Sequence, residues 1–74
     1  MAKLRDLSGR EVCLILAARG FTEACHRGRH IVMQKRERGS TVTVSVPDHH
    51  DLRINTLQSI IRQSGLKRNL FEIS

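Results

Sequence analysis

Residues 41–46 read T-V-T-V-S-V and alternate strictly between polar and apolar side chains. Successive side chains of a β-strand point to opposite faces of the sheet, so Val42, Val44 and Val46 share one face. The hydroxyl side chains of the same segment share the other face. The pattern therefore predicts a strand with one buried and one solvated face, in a sheet that is covered on one side only.

Two further strands are predicted upstream of this segment. Residues 21–26 read as a short strand, and residues 30–35 read as a second strand that is rich in β-branched side chains. R-G-R at 27–29 is a turn between them, because Gly28 permits a tight change of direction. Residues 36–40 are polar and contain a glycine, so they are predicted to form a hairpin loop. Short connections of this kind pair consecutive strands in an antiparallel fashion.

A helix is predicted before the strands. Ser8 and Glu11 fit a capping box, in which each side chain satisfies a backbone N–H of the other residue at the helix start. The helix runs from there to about Arg19, and Gly20 ends it. Its apolar positions recur at helical spacing and comprise Val12, Leu14, Ile15, Leu16 and Ala18.

A second helix is predicted over residues 56–64, with Asn55 and Gln58 as a capping pair and Gly65 at its end. The order α-β-β-β-α predicts an α+β fold of two layers. A three-stranded antiparallel sheet forms one layer, and both helices cover its apolar face.

The chain is short enough for residues 1–74 to form a single domain. Residues 1–7 and 67–74 are expected to be loosely ordered. The sequence shows no signal peptide and no stretch long enough to span a membrane. We therefore expect a cytoplasmic protein without a membrane partner.

The chain is strongly basic, with 13 Lys plus Arg against 7 Asp plus Glu and a net charge of +6. Such an excess attracts polyanions, and nucleic acid is the first candidate. Trp and Tyr are absent, and the two aromatic residues are Phe21 and Phe71. Proteins that stack bases need aromatic platforms. The composition therefore favours recognition of backbone shape, as in double-stranded-RNA-binding domains.

The two cysteines, Cys13 and Cys25, do not form a disulfide framework, and both thiols are expected to be reduced in the cytoplasm. They also lack the C-x(2–4)-C spacing of structural zinc sites, so no metal and no other cofactor is predicted. A nucleophilic thiol needs a depressed pKa. For Cys25 a buried structural role is the preferred interpretation.

H-R-G-R-H at 26–30 contains the chain's best candidate for chemistry. His30 opens the second predicted strand directly after the glycine turn, with Arg27 and Arg29 beside it. Neighbouring cations disfavour the protonated imidazole and a bound phosphate favours it, so His30 could act as base and acid in turn. RNA carries its own nucleophile, the 2′-OH, and cations would stabilise the phosphorane without a metal. On these residues alone, a histidine that only contacts phosphate or a partner is favoured.

Several stretches resemble the sequence pattern of one family. They are R-G-R-H at 27–30, V-P-D-H at 46–49 and N-T-L-Q-S-I-I-R-Q-S-G-L at 55–66, and the first helix ends in G-F at 20–21. Together they cover about residues 8–66 and resemble the HicA family of bacterial type II toxin–antitoxin systems. The resemblance implies a fold like a double-stranded-RNA-binding domain and a small ribonuclease that cuts mRNA without the ribosome.

The resemblance also implies roles for residues and partners. His30 corresponds to the family's catalytic histidine, and His49 matches a histidine with a supporting role at most. His26 and His50 match no pattern and are interpreted as surface residues. The RNA-binding residues are then Arg27, Gly28, Arg29 and Lys35. The implied partners are mRNA and a HicB-type antitoxin with an acidic surface, and direct contact with DNA is not expected.

The chain departs from the family's pattern at three positions. Arg29 stands in place of the usual serine, Ile31 stands where a second histidine is common, and Asn55 replaces a glycine. Two alternatives to a ribonuclease stay open. One is a non-catalytic RNA-binding module of the double-stranded-RNA-binding type, and the other is a basic interaction domain for an acidic protein.

Overall fold

A computed structural model of the chain describes residues 3–73. Its elements are, in order, α1 (Gly9–Ala18), β1 (Thr22–Arg27), β2 (His30–Glu37), β3 (Ser40–Pro47), α2 (Ile54–Ser64) and a 3₁₀ helix (Arg68–Phe71). The three strands form one antiparallel sheet in the order β1-β2-β3. The predicted α+β fold, with its α-β-β-β-α order, is confirmed.

The start of α1 is fixed by the predicted capping box. The Glu11 backbone N–H donates to Ser8 Oγ at 3.1 Å, and the Ser8 backbone N–H donates to Glu11 Oε1 at 2.9 Å. The bond from the Ser8 N–H stabilises the charged carboxylate and lowers the pKa of Glu11. The predicted end of α2 is also confirmed, because Gly65 adopts a left-handed conformation with a φ of 71°.

The start of α2 differs from the prediction. The helix begins at Ile54 with Arg53 as its N-cap residue, and Arg53 makes no side-chain capping bond. The predicted capping pair of Asn55 and Gln58 is therefore wrong, because Asn55 already lies inside the first turn.

The β2–β3 hairpin has a tighter turn than the sequence predicts. The two strands pair as far as Glu37 and Ser40, so Arg38 and Gly39 alone connect them, and the predicted loop over residues 36–40 is wrong. Gly39 has a φ of 71°, which glycine adopts without strain. Polar residues at the exposed ends of paired strands resemble loop residues in sequence, which explains the difference.

The core lies between the sheet and the two helices. α1 contacts all three strands, and α2 contacts β3. The alternation predicted for β3 is confirmed, because Val44 and Val46 are buried while the hydroxyl residues are exposed. Leu14 is 71% exposed, so its predicted place on the apolar face is wrong, since it lies on the far side of α1 from Val12 and Leu16. The buried apolar side chains are Leu4, Leu7, Val12, Leu16, Phe21, Ile31, Met33, Val44, Val46, Leu57, Ile60, Ile61 and Phe71.

The segments before α1 and after α2, for which a loose order is expected from the sequence, pair with each other within residues 3–7 and 67–73. Leu4 and Glu72 form an antiparallel bridge, and backbone hydrogen bonds of 2.8 Å flank it on both sides. Burial of Leu7 and Phe71 offsets the entropy lost when these segments become ordered. The same expectation for residues 1, 2 and 74 lies outside the described residues.

A β-bulge in β1 decides which of its side chains face away from the helices. The register shifts between Glu23 and Cys25, so Ala24 is an extra residue without a partner on β2. Strict alternation would place Cys25 on the same side as Glu23, but the bulge places it beside Val32 on the other side. The sheet face away from the helices, which we term the open sheet face, carries Thr22, Cys25, Arg27, His30, Val32, Gln34, Arg36, Thr41, Thr43, Ser45 and Pro47.

Helix α1 approaches the end of β3 so closely that its first residue must be glycine. A Cβ atom at Gly9 would overlap the carbonyl oxygen of Pro47. The Gly9 N–H donates to the His49 carbonyl at 2.9 Å, so backbone is held directly against backbone. The beginning of α1 is therefore joined to the segment that follows β3.

Replacement of Gly9 by alanine tests this contact. Alanine normally stabilises a helix relative to glycine by about 1 kcal/mol, but here the methyl group would force two backbone segments apart. We expect Gly9→Ala to lower the free energy of unfolding in urea by about 1–3 kcal/mol. The control is Leu14→Ala on the exposed side of the same helix, which should change it by less than about 0.5 kcal/mol. An unchanged or raised value for Gly9→Ala would contradict the close approach.

Candidate functional site

His30 is the first residue of β2 and lies on the open sheet face. Its neighbour Ile31 is buried against the helices, so the alternation of the strand turns His30 to the opposite side. In the sheet it lies between Arg27 of β1 and Pro47 of β3. The imidazole is exposed, so a ligand can reach it directly.

The turn before His30 consists of Gly28 and Arg29. Gly28 has a φ of 56°, a conformation that favours glycine, and the structure leaves open space where a side chain would be. The Arg29 carbonyl accepts a hydrogen bond of 2.6 Å from the Asp48 N–H, so the turn is tied to the chain that leaves β3. Arg27 is exposed on the same sheet face as His30. The structure therefore brings Arg27 and His30 together, with Arg29 on the adjoining turn.

Asp48 holds the surroundings of this turn through its side chain as well. Its Oδ2 lies 3.2 Å from Arg10 Nη2 and 3.6 Å from His26 Nε2, and the second contact is an ion pair when the imidazole is protonated. His26 is exposed, in agreement with its interpretation as a surface residue, and its imidazole also contacts Asp48. His26 faces the helix side of the sheet because its partner is the buried Ile31. Sequence reasoning missed Asp48, whose partners are far from it in the chain.

His49 and His50 lie in the loop after β3 and not on the open sheet face. Both are exposed and line a shallow pocket together with Ser8, Arg10 and Asp48. The His49 carbonyl is the acceptor for the Gly9 N–H, so this residue contributes to the packing of α1 through its backbone. The structure thus gives His49 a place beside the start of α1.

Lys35 is not brought together with His30. It is five residues further along β2, an odd number, so the two residues are on opposite faces of the sheet. Its Nζ lies 3.9 Å from Glu37 Oε1 and 5.9 Å from the centre of the Phe21 ring. These contacts hold Lys35 on the helix side.

The two cysteines differ in their environment. Cys25 is exposed on the open sheet face, so its predicted burial is wrong, and the bulge at Ala24 is the physical reason. Cys13 is half-buried, and burial raises the pKa of its thiol, with a further contribution from the charge of Glu23. Among the described residues no three His, Cys, Asp or Glu side chains are grouped as a metal site requires.

This difference predicts unequal thiol reactivity. At pH 8 we expect iodoacetamide to modify Cys25 at least about fivefold faster than Cys13, because Cys13 is less accessible and burial raises the pKa of its thiol. The rates follow from mass spectrometry of the two cysteine peptides over time. Denaturation in urea should remove the difference, which serves as the control. Equal rates in the folded protein would contradict the placement of Cys25 on the exposed face.

The fold and the basic turn define a class of protein. The α-β-β-β-α order with both helices on one sheet face is the arrangement of double-stranded-RNA-binding domains. A comparison with protein families matches residues 9–66 to the family described as HicA toxin of bacterial toxin-antitoxin. The chain belongs to this HicA toxin family, because the match covers most of its length. A comparison with curated proteins finds no match to the chain.

Family membership establishes the broad role. The protein is the toxin component of a bacterial toxin–antitoxin pair, in a family whose targets are RNA. No helix within residues 3–73 has the length and apolar character needed to cross a membrane.

Proposed function

We propose that the protein is an endoribonuclease that cleaves mRNA without a metal ion, with His30 as the group that transfers protons. The observation that carries the proposal is the exposed position of His30 on the open sheet face, beside Arg27 and directly after a basic turn. A general acid or base must reach the proton that it transfers, and an exposed imidazole meets this requirement.

The reaction uses the nucleophile of RNA itself. The neutral His30 imidazole takes the proton of a 2′-OH, and the 2′-oxygen forms a bond with the adjacent phosphorus. The bond between phosphorus and the 5′-oxygen breaks, which leaves a 2′,3′-cyclic phosphate on one fragment. The 5′-oxygen of the other fragment takes up a proton from the imidazolium or from water. Proton transfer of this kind contributes about 10²–10⁴-fold to a rate.

The arginines around the turn supply positive charge for this step. The phosphorane carries more negative charge than the phosphodiester, so cations placed beside it stabilise the transition state. Arg27 and Arg29 are the groups that adjoin His30, and Gly28, with a φ of 56°, forms the turn between the two arginines. His49 lies beside the start of α1, and we give it at most a supporting role in RNA cleavage. Lys35 is left out of the catalytic group because it lies on the opposite face.

The proposed protein partner is a HicB-type antitoxin with an acidic surface. Such a surface complements the net charge of +6 and would inhibit the toxin by covering His30. If so, expression of the chain alone arrests growth, and coexpression of a HicB-type antitoxin encoded beside it relieves the arrest.

The proposal is tested with purified protein and RNA in the presence of EDTA. We expect wild-type protein to cleave and His30→Ala to lose at least about 100-fold in rate, because the proton-transfer group is missing. The matched control is His50→Ala, an exposed histidine away from the open sheet face, which should cleave like wild type. Equal cleavage by His30→Ala and wild type would falsify the role of His30, and a requirement for added divalent metal would exclude the mechanism. RNA binding without any cleavage by wild type would support a non-catalytic RNA-binding module instead.

A further inference from the structure

We propose that the open sheet face is the surface that binds RNA, and that it holds one unpaired strand through the sugar–phosphate backbone. The inference rests on the proposed function, since it names the surface and the form of the substrate for the site at His30. It concerns residues that run along the whole sheet, most of them remote from the turn.

The first argument is the charge of this face. Its basic side chains are Arg27, His30 and Arg36, and no residue of the face is Asp or Glu. The acidic strand residues Glu23 and Glu37 belong to the helix side, where Glu37 lies 3.9 Å from the Lys35 ammonium group. The sheet thus separates its charges, and a polyanion on the open side meets cations without neighbouring carboxylates.

The second argument is the kind of hydrogen-bonding group that the face offers. Thr41, Thr43 and Ser45 point away from the core along β3, and all three are exposed. Gln34, at the centre of the face, donates to Thr43 Oγ1 at 3.4 Å, a long bond that leaves the amide able to turn towards a ligand. Hydroxyl and amide groups donate to phosphate oxygens and to ribose, and such contacts fix a nucleic-acid backbone without reading bases.

The third argument is the line that β2 forms across the face. His30, Gln34 and Arg36 project from the same side of the central strand. At about 3.3 Å per residue, His30 and Arg36 are about 20 Å apart. An arginine therefore lies at each end of a polar track, Arg27 beside His30 at one end and Arg36 at the other.

Two observations indicate that the bound RNA is an unpaired strand: the side chains of the open sheet face, and the geometry that attack by a 2′-OH requires. The face carries no Phe, Tyr or Trp residue that could serve as a stacking platform for successive bases, so the contacts go to the backbone. Attack by a 2′-OH requires the attacking and leaving oxygens to be aligned. An unpaired strand can adopt that geometry on a flat surface, whereas base pairing holds the backbone in the regular A form.

The experiment measures binding separately from cleavage. The probe is a single-stranded 12-nucleotide RNA of mixed sequence with 2′-O-methyl groups, which removes the nucleophile so that no variant can cut it. Two isosteric changes each add one negative charge: Gln34→Glu on the open sheet face, and Gln58→Glu on the exposed side of α2 as the matched control. We expect Gln34→Glu to raise Kd by about five- to tenfold, through repulsion of nearby phosphates, and Gln58→Glu to change it less than about twofold.

A second pair of variants keeps the test decisive if Gln34→Glu folds poorly. Arg36→Gln and Arg62→Gln each remove one positive charge, the first on the open sheet face and the second on α2. For Arg36→Gln alone, the slope of log Kd against log salt concentration should fall by about 0.7, as for one lost phosphate contact on a single strand. Saturating RNA should also slow alkylation of Cys25 on the same face and leave Cys13 unaffected.

Several results would overturn the inference. Equal effects of the two members of each pair would show that RNA responds to total charge and not to this face. Unchanged RNA binding by Gln34→Glu and Arg36→Gln with weakened antitoxin binding would assign the face to the protein partner. Tighter binding of a duplex of the same length would exclude an unpaired strand. Full cleavage by His30→Ala together with the expected binding results would refute the catalytic role of His30 and leave the binding surface intact, whereas absence of cleavage by wild type with the same binding results would refute the proposed function alone.

Discussion

Helix α1 and the turn before His30 are both held by main-chain contacts to one short segment, residues 47–49. Gly9 packs directly against the backbone of this segment. The His49 carbonyl accepts a hydrogen bond from the Gly9 N–H, and the Asp48 N–H donates one to the Arg29 carbonyl. Contacts between closely packed backbones permit little displacement, because neither partner can change rotamer to adapt. The position of His30 relative to the helix layer is therefore set by the backbone.

The two faces of the sheet have different roles: the helix side stabilises the fold, and the open side is the proposed binding surface. The helix side carries the apolar core and also the contacts of Asp48 with Arg10 and His26. The open side contributes little to the core, since its residues are mostly exposed. The two-residue turn of Gly28 and Arg29 completes this division, because it pairs Arg27 with His30 on the open side. This tight turn thus allows the arginine and the histidine to contact the same ligand.

The features that the sequence predicts correctly are those with local causes. The alternation of residues 41–46, the capping box at Ser8 and the end of α2 at Gly65 each depend on neighbours within a few positions. The pairing of the two chain ends and the contacts of Asp48 depend on residues that are remote in sequence, and no local pattern encodes them. In the candidate site, the glycine turn and the family resemblance single out His30 with its two neighbouring arginines. The placement of Lys35 on the other face follows from simple alternation, whereas the exposure of Cys25 requires knowledge of the bulge.

The residues of the open sheet face suit a surface that is exposed to solvent in the free toxin and covered when a partner binds. A toxin must stay soluble when its antitoxin is absent, and large exposed apolar patches promote aggregation. Val32 is the large aliphatic residue on this face, and it is only partly exposed among hydroxyl, amide and cationic groups. A partner that covers such a face gains its affinity from charge and hydrogen bonds more than from apolar burial. Under the proposed function, RNA and antitoxin would then compete through the same polar groups, and release of the acidic partner would expose a surface already complementary to phosphate.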